Sequence, residues 1–413
     1  MAALRFCLVT TFFPPFHFGG DGVFIHRLAR ALAARGHAVD VVHSVDAYRI
    51  HRTDAQRDFQ ETPGVRRIAL ESRMPMLATL LAHQSGGPAT YARRLHEILA
   101  PGRYDVVHFH NVSLAGGPGV LAYGDGIKLY TTHEYWLVCP THVLFRFGRE
   151  ACVEKSCLAC TLHAGRPPQL WRATGRIARS LVHLDRLLVP SRFALERHRA
   201  EGIEAPMQLL PHFVPVPGEL LPASPSEPYF LFVGRLEKLK GLQDVFPVLR
   251  TLPTARLRIA GTGTYEGDLR RLAEGMPNVE FLGQVHPARV VELYRGALAV
   301  LVPSLCYEVF PLAPVEALAH GVPVIARRIG ALTEVVEDSG GGLLFETAAE
   351  CRAAMERMLG TPHLRDELGA RGWQTANEQW TEEVHMSRYL SMIGSLMAAK
   401  AGTSRQSSWN SDS

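Results

Sequence analysis

Two glutamates, Glu308 and Glu316, stand eight residues apart behind the apolar run 297–303. Pro314 lies just before the second, and proline suits the first turn of a helix because its missing amide is not needed there. The pattern predicts a strand ending at Pro303-Ser304 and a loop carrying Glu308. A helix then starts near Pro314, has Glu316 in its first turn and stops at Gly321. Both carboxylates would then face the crevice at the strand's carboxyl end. A helix start offers free amides and a positive dipole end, a natural seat for phosphate, and carboxylates there can accept hydrogen bonds from sugar hydroxyls. A second cluster carries the opposite charge. The apolar run 229–233 ends at Gly234, and Arg235 and Lys240 follow. Two fixed cations at a strand end suit a diphosphate and can stabilise the charge that develops on a departing nucleotide. The chain has no Asp-x-Asp pair, so a diphosphate held through a metal by such a pair is not expected.

Two further patterns bear on chemistry. Cys139, Cys152, Cys157 and Cys160 lie within 22 residues, the last two as Cys-x-x-Cys. Four thiolates so spaced suit a structural tetrahedral zinc site or an iron–sulfur cluster. Zinc enclosed by four thiolates has no open position, so no catalytic role is expected of it; free thiols or a single redox pair are the alternatives. Arg172, Arg176, Arg179, His183 and Arg186 fall at i, i+4, i+7, i+11 and i+14, which is one face of one helix. Such a face is either simply solvated or touches anionic lipid or a lipid-diphosphate acceptor. His43, His108 and His110, on or beside apolar runs, read as structural groups, and Tyr135-Trp136 as core.

These residues need a frame. Short β-branched runs at 6–10, 38–43, 105–110, 127–131 and 186–190 alternate with helical patterns, the first at 22–35 with Gly36 as its stop. A Pro-rich stretch, 215–228, is the best linker. After it the rhythm restarts with runs at 229–233, 256–260, 279–282, 297–303 and 323–326. Alternation of this kind predicts an α/β fold of two doubly wound Rossmann-like domains, with ligands bound outside the carboxyl ends of the strands in the cleft between them. The domains are expected at 1–217 and 218–382. Residues 400–413 are expected to form a Ser-rich disordered tail.

Composition agrees. The chain has 413 residues, 47% hydrophobic and 20% charged, which fits two or three globular domains and excludes a disordered chain. A net charge of 44 − 40 = +4 gives no reason to expect a nucleic-acid partner. No apolar run reaches about 18 residues, so no spanning helix is expected. Residues 1–16 read as a buried first strand, not a signal peptide. Seven cysteines in a chain this long point to a reducing, cytoplasmic compartment.

Taken together, these motifs resemble the retaining GT-B glycosyltransferases of family 4 (glycosyl transferases group 1), over roughly residues 5–389. Glu308…Glu316 is similar to that family's Glu-x7-Glu motif, and Arg235 with Lys240 to its Arg/Lys pair. Pro14-Pro15 followed by Gly19-Gly20 resembles its glycine loop, Arg35-Gly36-His37 its helix end, and Thr132-His133-Glu134 its central His-Glu step. The resemblance implies roles. Glu316 binds the ribose and Glu308 the donor sugar. Arg235 and Lys240 hold the diphosphate with help from the backbone at Gly19, Gly20 and Gly234. His133 sits near the transferred sugar, and the turn at Gly283-Gln284-Val285 lies by the base. The family's fold also implies that a C-terminal helix, about 383–399, packs back on the first domain, with Trp373 and Trp380 helping to pack that segment. One position departs: Pro311 stands where the family usually has glycine, three residues after the first Glu. Proline has no amide to donate, so Phe310 or Leu312 would supply it.

The function so implied is a metal-independent transferase of the EC 2.4 class. It moves a sugar, with retention, from a nucleotide diphosphate donor to a glycan, a lipid-linked intermediate or a small molecule, with residues 46–94 as the acceptor-facing insert. The enzyme would work in the cytoplasm and, if the basic helix touches lipid, as a peripheral protein on the inner face of the membrane. The alternatives are a nucleotide-sugar epimerase of the same fold, which needs no acceptor, and a non-catalytic binding homologue. Gly261-x-Gly263-x-x-x-Gly267 is one residue off a dinucleotide fingerprint and gives little support to a dehydrogenase.

Overall fold

The computed structural model describes residues 2–50, 61–220 and 227–409. Two parallel sheets organise the chain. The first has seven strands: β1 (Arg5–Val9), β2 (Ala38–Ser44), β3 (Val65–Leu70), β4 (Val106–Phe109), β5 (Ile127–Thr131), β8 (Arg186–Val189) and β9 (Met207–Leu209). Between β5 and β8 a short antiparallel hairpin, β6 (Phe145–Arg146) and β7 (Glu150–Ala151), stands off the sheet. The second sheet has six: β10 (Tyr229–Val233), β11 (Leu257–Ala260), β12 (Val279–Gly283), β13 (Ala297–Val302), β14 (Val324–Arg327) and β15 (Gly342–Phe345). Strand order is β3-β2-β1-β4-β5-β8-β9 in the first and β12-β11-β10-β13-β14-β15 in the second. In both, the chain winds outward from the central strand in two directions. The crevice of such a sheet opens where the direction changes, beyond the carboxyl ends of β1 and β4 and of β10 and β13.

The central strands are apolar along their whole length because helices cover both faces. Phe6 and Leu8 of β1 point to a cluster with Phe24, Ile25, Leu28 and Leu32, while Cys7 and Val9 point to the opposite cluster with Val107 and Phe109. Phe24, Ile25, Leu28 and Leu32 recur at helical spacing along the helix Gly20–Ala34 and form its buried stripe. In the second domain, Phe230 and Phe232 face one cluster and Leu231 the other. Each buried Leu or Phe contributes about 1.5–3 kcal/mol, so either stripe far outweighs local helix propensity.

Several strand expectations shift by only a residue or so, as element ends generally do, but three differences are larger. β3, β9 and β15 lie in stretches not read as strands. The supposed basic helix is not one element. A 3-10 turn, Leu170–Thr174, ends at Gly175 in the left-handed region, a separate helix spans Arg176–Leu181, and Arg186 opens β8. Gly175 breaks the face, and Arg172 is drawn inward. Its guanidinium lies 4.9 Å from the Trp171 ring and 5.4 Å from the Trp136 ring, and it donates to the Trp136 carbonyl at 2.7 Å. Finally, the C-terminal helix runs from Glu382 to Trp409, past Lys400, where the sequence leads one to expect an unstructured tail. The Lys400 ammonium reaches Asp185 at 2.8 Å and the Gly126 carbonyl. Residues 410–413 of that tail, 221–226 of the linker and 51–60 of the expected acceptor-facing insert lie outside the described residues.

The C-terminal helix crosses back to the first domain and becomes part of its core. Met386, Tyr389 and Ile393 join the Phe6–Leu8 cluster. Arg35 binds Glu382 and Glu383, His385 meets the Pro211 carbonyl at 2.7 Å, and the Tyr389 hydroxyl meets His108 at 2.8 Å. Among the described residues, no helix is long and apolar enough to cross a membrane.

Candidate functional site

The carboxyl ends of β1 and β10 face each other across a cleft. From the first domain, Gly19, at φ +78, turns the chain into the helix that starts at Gly20; a side chain there would be strained. A Cβ on Gly19 would lie 3.6 Å from the Arg235 guanidinium, and one on Gly20 would press on Leu312 at 2.9 Å. Glycine therefore lets the two domains approach to backbone distance at this point.

From the second domain, the loop after β13 carries Glu308. Its carboxylate receives the Lys240 ammonium at 2.6 Å and the Ser304 hydroxyl at 2.9 Å, all on the same oxygen. Burial alone would push Glu308 up, but the Lys240 charge and hydrogen bond, the Ser304 hydroxyl and the Arg235 charge more than offset it, and its pKa falls below the ordinary value. Burial likewise works against the Lys240 charge, and Glu308 outweighs it, so the Lys240 pKa is raised. Both groups therefore stay ionised at neutral pH. The first domain holds this loop: the Ser191 hydroxyl donates to the Val309 carbonyl at 2.7 Å, and the Tyr135 hydroxyl to the Glu308 carbonyl at 3.3 Å. Arg235, half exposed, pairs with Glu237 at 2.7 Å. Gly234 closes β10 beside it.

The helix that was expected to begin near Pro314 begins at Leu312, with Pro311 as its N-cap. Two prolines flank its first residues, so the amides of Leu312 and Ala313 open the helix and Pro314 contributes none. Glu316 is thus the fifth helical residue and lies beyond the first turn. Its carboxylate binds Arg27 of the first domain at 2.7 Å. The Phe310 ring packs on the buried His212 at 5.4 Å and on Trp380 at 6.4 Å, so this residue faces the cleft through its backbone. Val285, past the β12 turn, packs against the second domain's apolar cluster.

His133 follows β5. Its Nε2 shares a 2.9 Å hydrogen bond with Nδ1 of the buried His110, and its ring lies near those of Phe24 and His212. Burial pushes its pKa down to about 3, so at neutral pH it is a hydrogen-bonding group without charge. Glu134 next to it binds His142 at 2.8 Å.

Four contributors to the cleft were not singled out for a role in the sequence. Arg27 carries no spacing signal; only the fold brings it to Glu316, and its Nη1 is buried without a hydrogen-bond partner among the described residues. Asp21 follows the glycine loop directly, a signal that was available. Burial, with the Glu134 charge, raises its pKa to about 7 against the lowering influence of the Gly22 amide and Arg235. His110, read as structural, supports His133. Ser304 was read only as the end of a strand.

The cysteine window gathers less than its spacing leads one to expect. Burial raises the Cys152 pKa, and Cys139, Cys157 and Cys160 raise it further, so the four thiols are neighbours. Three of them are engaged otherwise: Cys139 with the Thr141 hydroxyl at 3.2 Å, Cys152 with the Glu154 carbonyl at 3.5 Å, Cys160 with the Phe147 amide at 3.4 Å. All are free, and among the described residues no three His, Cys, Asp or Glu side chains are grouped to hold a metal ion. The donor set fits zinc in chemistry, and no step of the proposed reaction involves it.

Two family descriptions match successive stretches of the chain. The family description "Glycosyltransferase Family 4" matches residues 18–216, and "Glycosyl transferases group 1" matches residues 221–375. The D-inositol 3-phosphate glycosyltransferase of Acidothermus cellulolyticus is 30% identical over 384 residues, spanning 85% of this chain and 80% of that protein. The glycogen synthase of Mycobacterium tuberculosis (strain H37Rv) is 28% identical over 359 residues, 82% of each chain. Among solved structures, sucrose-phosphate synthase from Thermosynechococcus elongatus superposes with a TM-score of 0.71 at 20% identity, covering 96% of this chain and 100% of that one. Anabaena HepE in complex with UDP-glucose gives 0.66 at 14%, covering 95% and 100%. These likenesses show a GT-B fold.

Proposed function

The chain belongs to glycosyltransferase family 4 and is a glycosyltransferase with two α/β domains in the GT-B arrangement, and from that premise we propose that it takes a nucleoside diphosphate sugar as donor and transfers the sugar to a hydroxyl with retention. One observation carries the reading. The ionised Lys240–Glu308 pair, Arg235, the glycine turn and the start of the helix Leu312–Ala319 converge on a single point of the cleft, with Glu316 on the same helix. That point offers cations and amides for a diphosphate, flanked by carboxylates for hydroxyls.

Each group then has a task. Lys240 and Arg235 neutralise the diphosphate and, as the bond to the sugar breaks, the further charge on the leaving phosphate. In this reading these cations meet the charge that a divalent ion meets elsewhere. The amides of Leu312 and Ala313 add the positive end of a helix where Pro311 has none to give. Glu308, kept ionised by Lys240, accepts hydrogen bonds from the donor sugar, and Glu316 from the ribose. Val285 flanks the base. The neutral His133, steadied by His110, hydrogen-bonds to the transferred sugar. The acceptor hydroxyl enters on the face from which the phosphate leaves. Asp21 and Glu134 on that side support a polyhydroxylated acceptor. Because Glu316 is bound to Arg27 across the cleft, the donor meets a first-domain side chain as well as the second domain.

The test is a panel of nucleotide sugars with candidate glycan acceptors, read by release of nucleoside diphosphate. Release with at least one donor, abolished in Glu316→Ala, is expected. Interconversion of the donor sugar without any acceptor, followed by NMR, would replace transfer with epimerisation.

A further inference from the structure

Five of the exposed large apolar residues of the first domain sit on one helix. Among the described residues, Met74, Met76, Leu77, Leu80 and Leu81 belong to the helix Pro75–Ser85 or its N-cap, and all are exposed. This helix is turned inside out: its small residues Ala78, Thr79 and Ala82 are buried, whereas Met76 is 72% exposed. A helix that only had to cover a sheet would bury its large side chains, and an apolar patch of this size on a soluble domain marks a contact surface. Leu170, 75% exposed, extends the patch, since the neighbouring Trp171 indole donates to the His83 carbonyl at 2.9 Å. The exposed Leu158 and Leu162 lie on the helix Cys157–His163, from which the chain runs through the exposed Arg166 to Leu170.

The same surface is short of acid. Residues 72–96 contain Arg73, Arg93 and Arg94, and residues 155–184 contain Lys155, Arg166, Arg172, Arg176 and Arg179; neither stretch has an Asp or Glu. Lys155 is paired with Glu201, Arg93 and Arg94 with Glu97, and Arg172 is buried, but Arg73, Arg166 and Arg179 are exposed. Large apolar side chains with exposed arginines beside them match the boundary between headgroup and acyl chain in an anionic bilayer. The charge complementarity selects that occupant over a neutral protein surface.

We propose that the face formed by the helix Pro75–Ser85, Leu170 and the helix Cys157–His163 docks on an anionic phospholipid bilayer. This face is centred on the helix Pro75–Ser85 and takes in Leu170 and Arg179 of the broken basic segment, and it does not depend on the donor or acceptor assigned above. The helix Pro75–Ser85 leaves the carboxyl end of β3, the same edge from which the glycine turn and His133 leave β1 and β5. Docking there sets the mouth of the cleft beside the lipid surface.

Co-sedimentation of the full chain with vesicles tests this without any sugar nucleotide. Binding to phosphatidylglycerol/phosphatidylcholine vesicles is expected to exceed binding to pure phosphatidylcholine by about tenfold or more and to weaken with salt. Met76→Glu/Leu80→Glu should lower binding roughly tenfold. Arg166→Glu/Arg179→Glu should lower it comparably, and Leu272→Glu, exposed on the second domain, should not change it. The replaced side chains are exposed, so thermal unfolding should be unaltered; the charge variant reports independently if the apolar one misfolds. Equal binding to both vesicle types, or full binding by either double variant, overturns the proposal. So does a dimer that Met76→Glu/Leu80→Glu dissociates while the wild type ignores vesicles, because a second copy would then be the occupant.

Discussion

Replacing Lys240 with Ala isolates the charge on which the proposed chemistry rests. Two unit charges about 4 Å apart interact by ~4 kcal/mol at an effective dielectric of ~20. Lys240 is only 22% exposed and already sits 2.6 Å from a carboxylate, so its ammonium is fixed in place and little screened. A diphosphate is charged before the reaction as well as during it, so most of the attraction is common to both states. What counts is the added charge as the sugar–phosphate bond breaks. Losing one pre-set group at such a centre costs about 2.7–4 kcal/mol, or ~10²–10³ in kcat. Donor KM should move by less than about tenfold, since the other phosphate contacts remain. The structure also supplies a confounding effect: without Lys240, Glu308 keeps only the Ser304 hydroxyl and the Arg235 charge, and breaking a buried pair on one side costs up to ~3–5 kcal/mol of stability. The double variant Lys240→Ala/Glu308→Gln removes the orphaned charge and separates the two effects. Steady-state nucleotide release at saturating acceptor, with a urea midpoint for each variant, reads both. Stability should return in the double variant while kcat stays low. If kcat of Lys240→Ala is within threefold of wild type, the charge argument is refuted. If the double variant recovers turnover, Lys240 merely neutralises Glu308.

Glu316→Ala should raise donor KM by about tenfold or more, the loss of charged hydrogen bonds worth ~1.5–3 kcal/mol, while Arg27→Ala should alter donor KM through the same carboxylate; a donor titration in which neither changes would contradict the placement of the ribose. The buried His108, His110 and His212 have pKa values well below the ordinary one because burial disfavours the cation. The unfolded chain, titrating near 6.5, binds protons that the folded chain refuses, so stability is full above pH ~6.5 and falls below it by ~1.4 kcal/mol per pH unit per histidine. Urea midpoints at pH 7 and pH 5 should show the loss, and His212→Phe should remove about one proton from the slope. Arg172→Ala should cost about 2–3 kcal/mol in urea unfolding, through lost stacking on Trp136 and Trp171 and an unpaired carbonyl, and should leave vesicle binding unchanged.

The legible parts of this molecule are those in which the signal lies within a few residues. The run Tyr229–Val233 is apolar, aromatic and bounded by Pro228 and Gly234, and it is a strand over those five residues. Lys240, Glu308 and Glu316 could be assigned to strand ends because each follows such a run. β15 could not be read this way: Gly340, Gly341 and Gly342 precede its few apolar residues, which read as a turn, and pairing with β14 decides the matter. β3 carries two arginines, because Arg66 satisfies Asp40 of β2 from an edge position. The supposed basic helix failed because a period counts faces without counting breaks. Gly175, at φ +68, separates two short elements, and Arg172 found more to gain between two indoles than in water.

The same distinction explains which site residues remained hidden. Arg27 is 289 positions from Glu316, and nothing in the alternation of the helix Gly20–Ala34 sets that arginine apart from Arg30 or Arg35. Its role follows from the closing of two sheets, each legible by itself, onto one another. The cysteine window is a different case. Spacing brings four thiols into one segment, and three of them meet local partners: a Thr141 hydroxyl, a Glu154 carbonyl, a hairpin amide. Spacing fixes which side chains can meet; it fixes their meeting only where, as for Lys240 and Glu308, a stronger mutual attraction outweighs the neighbours each could have instead.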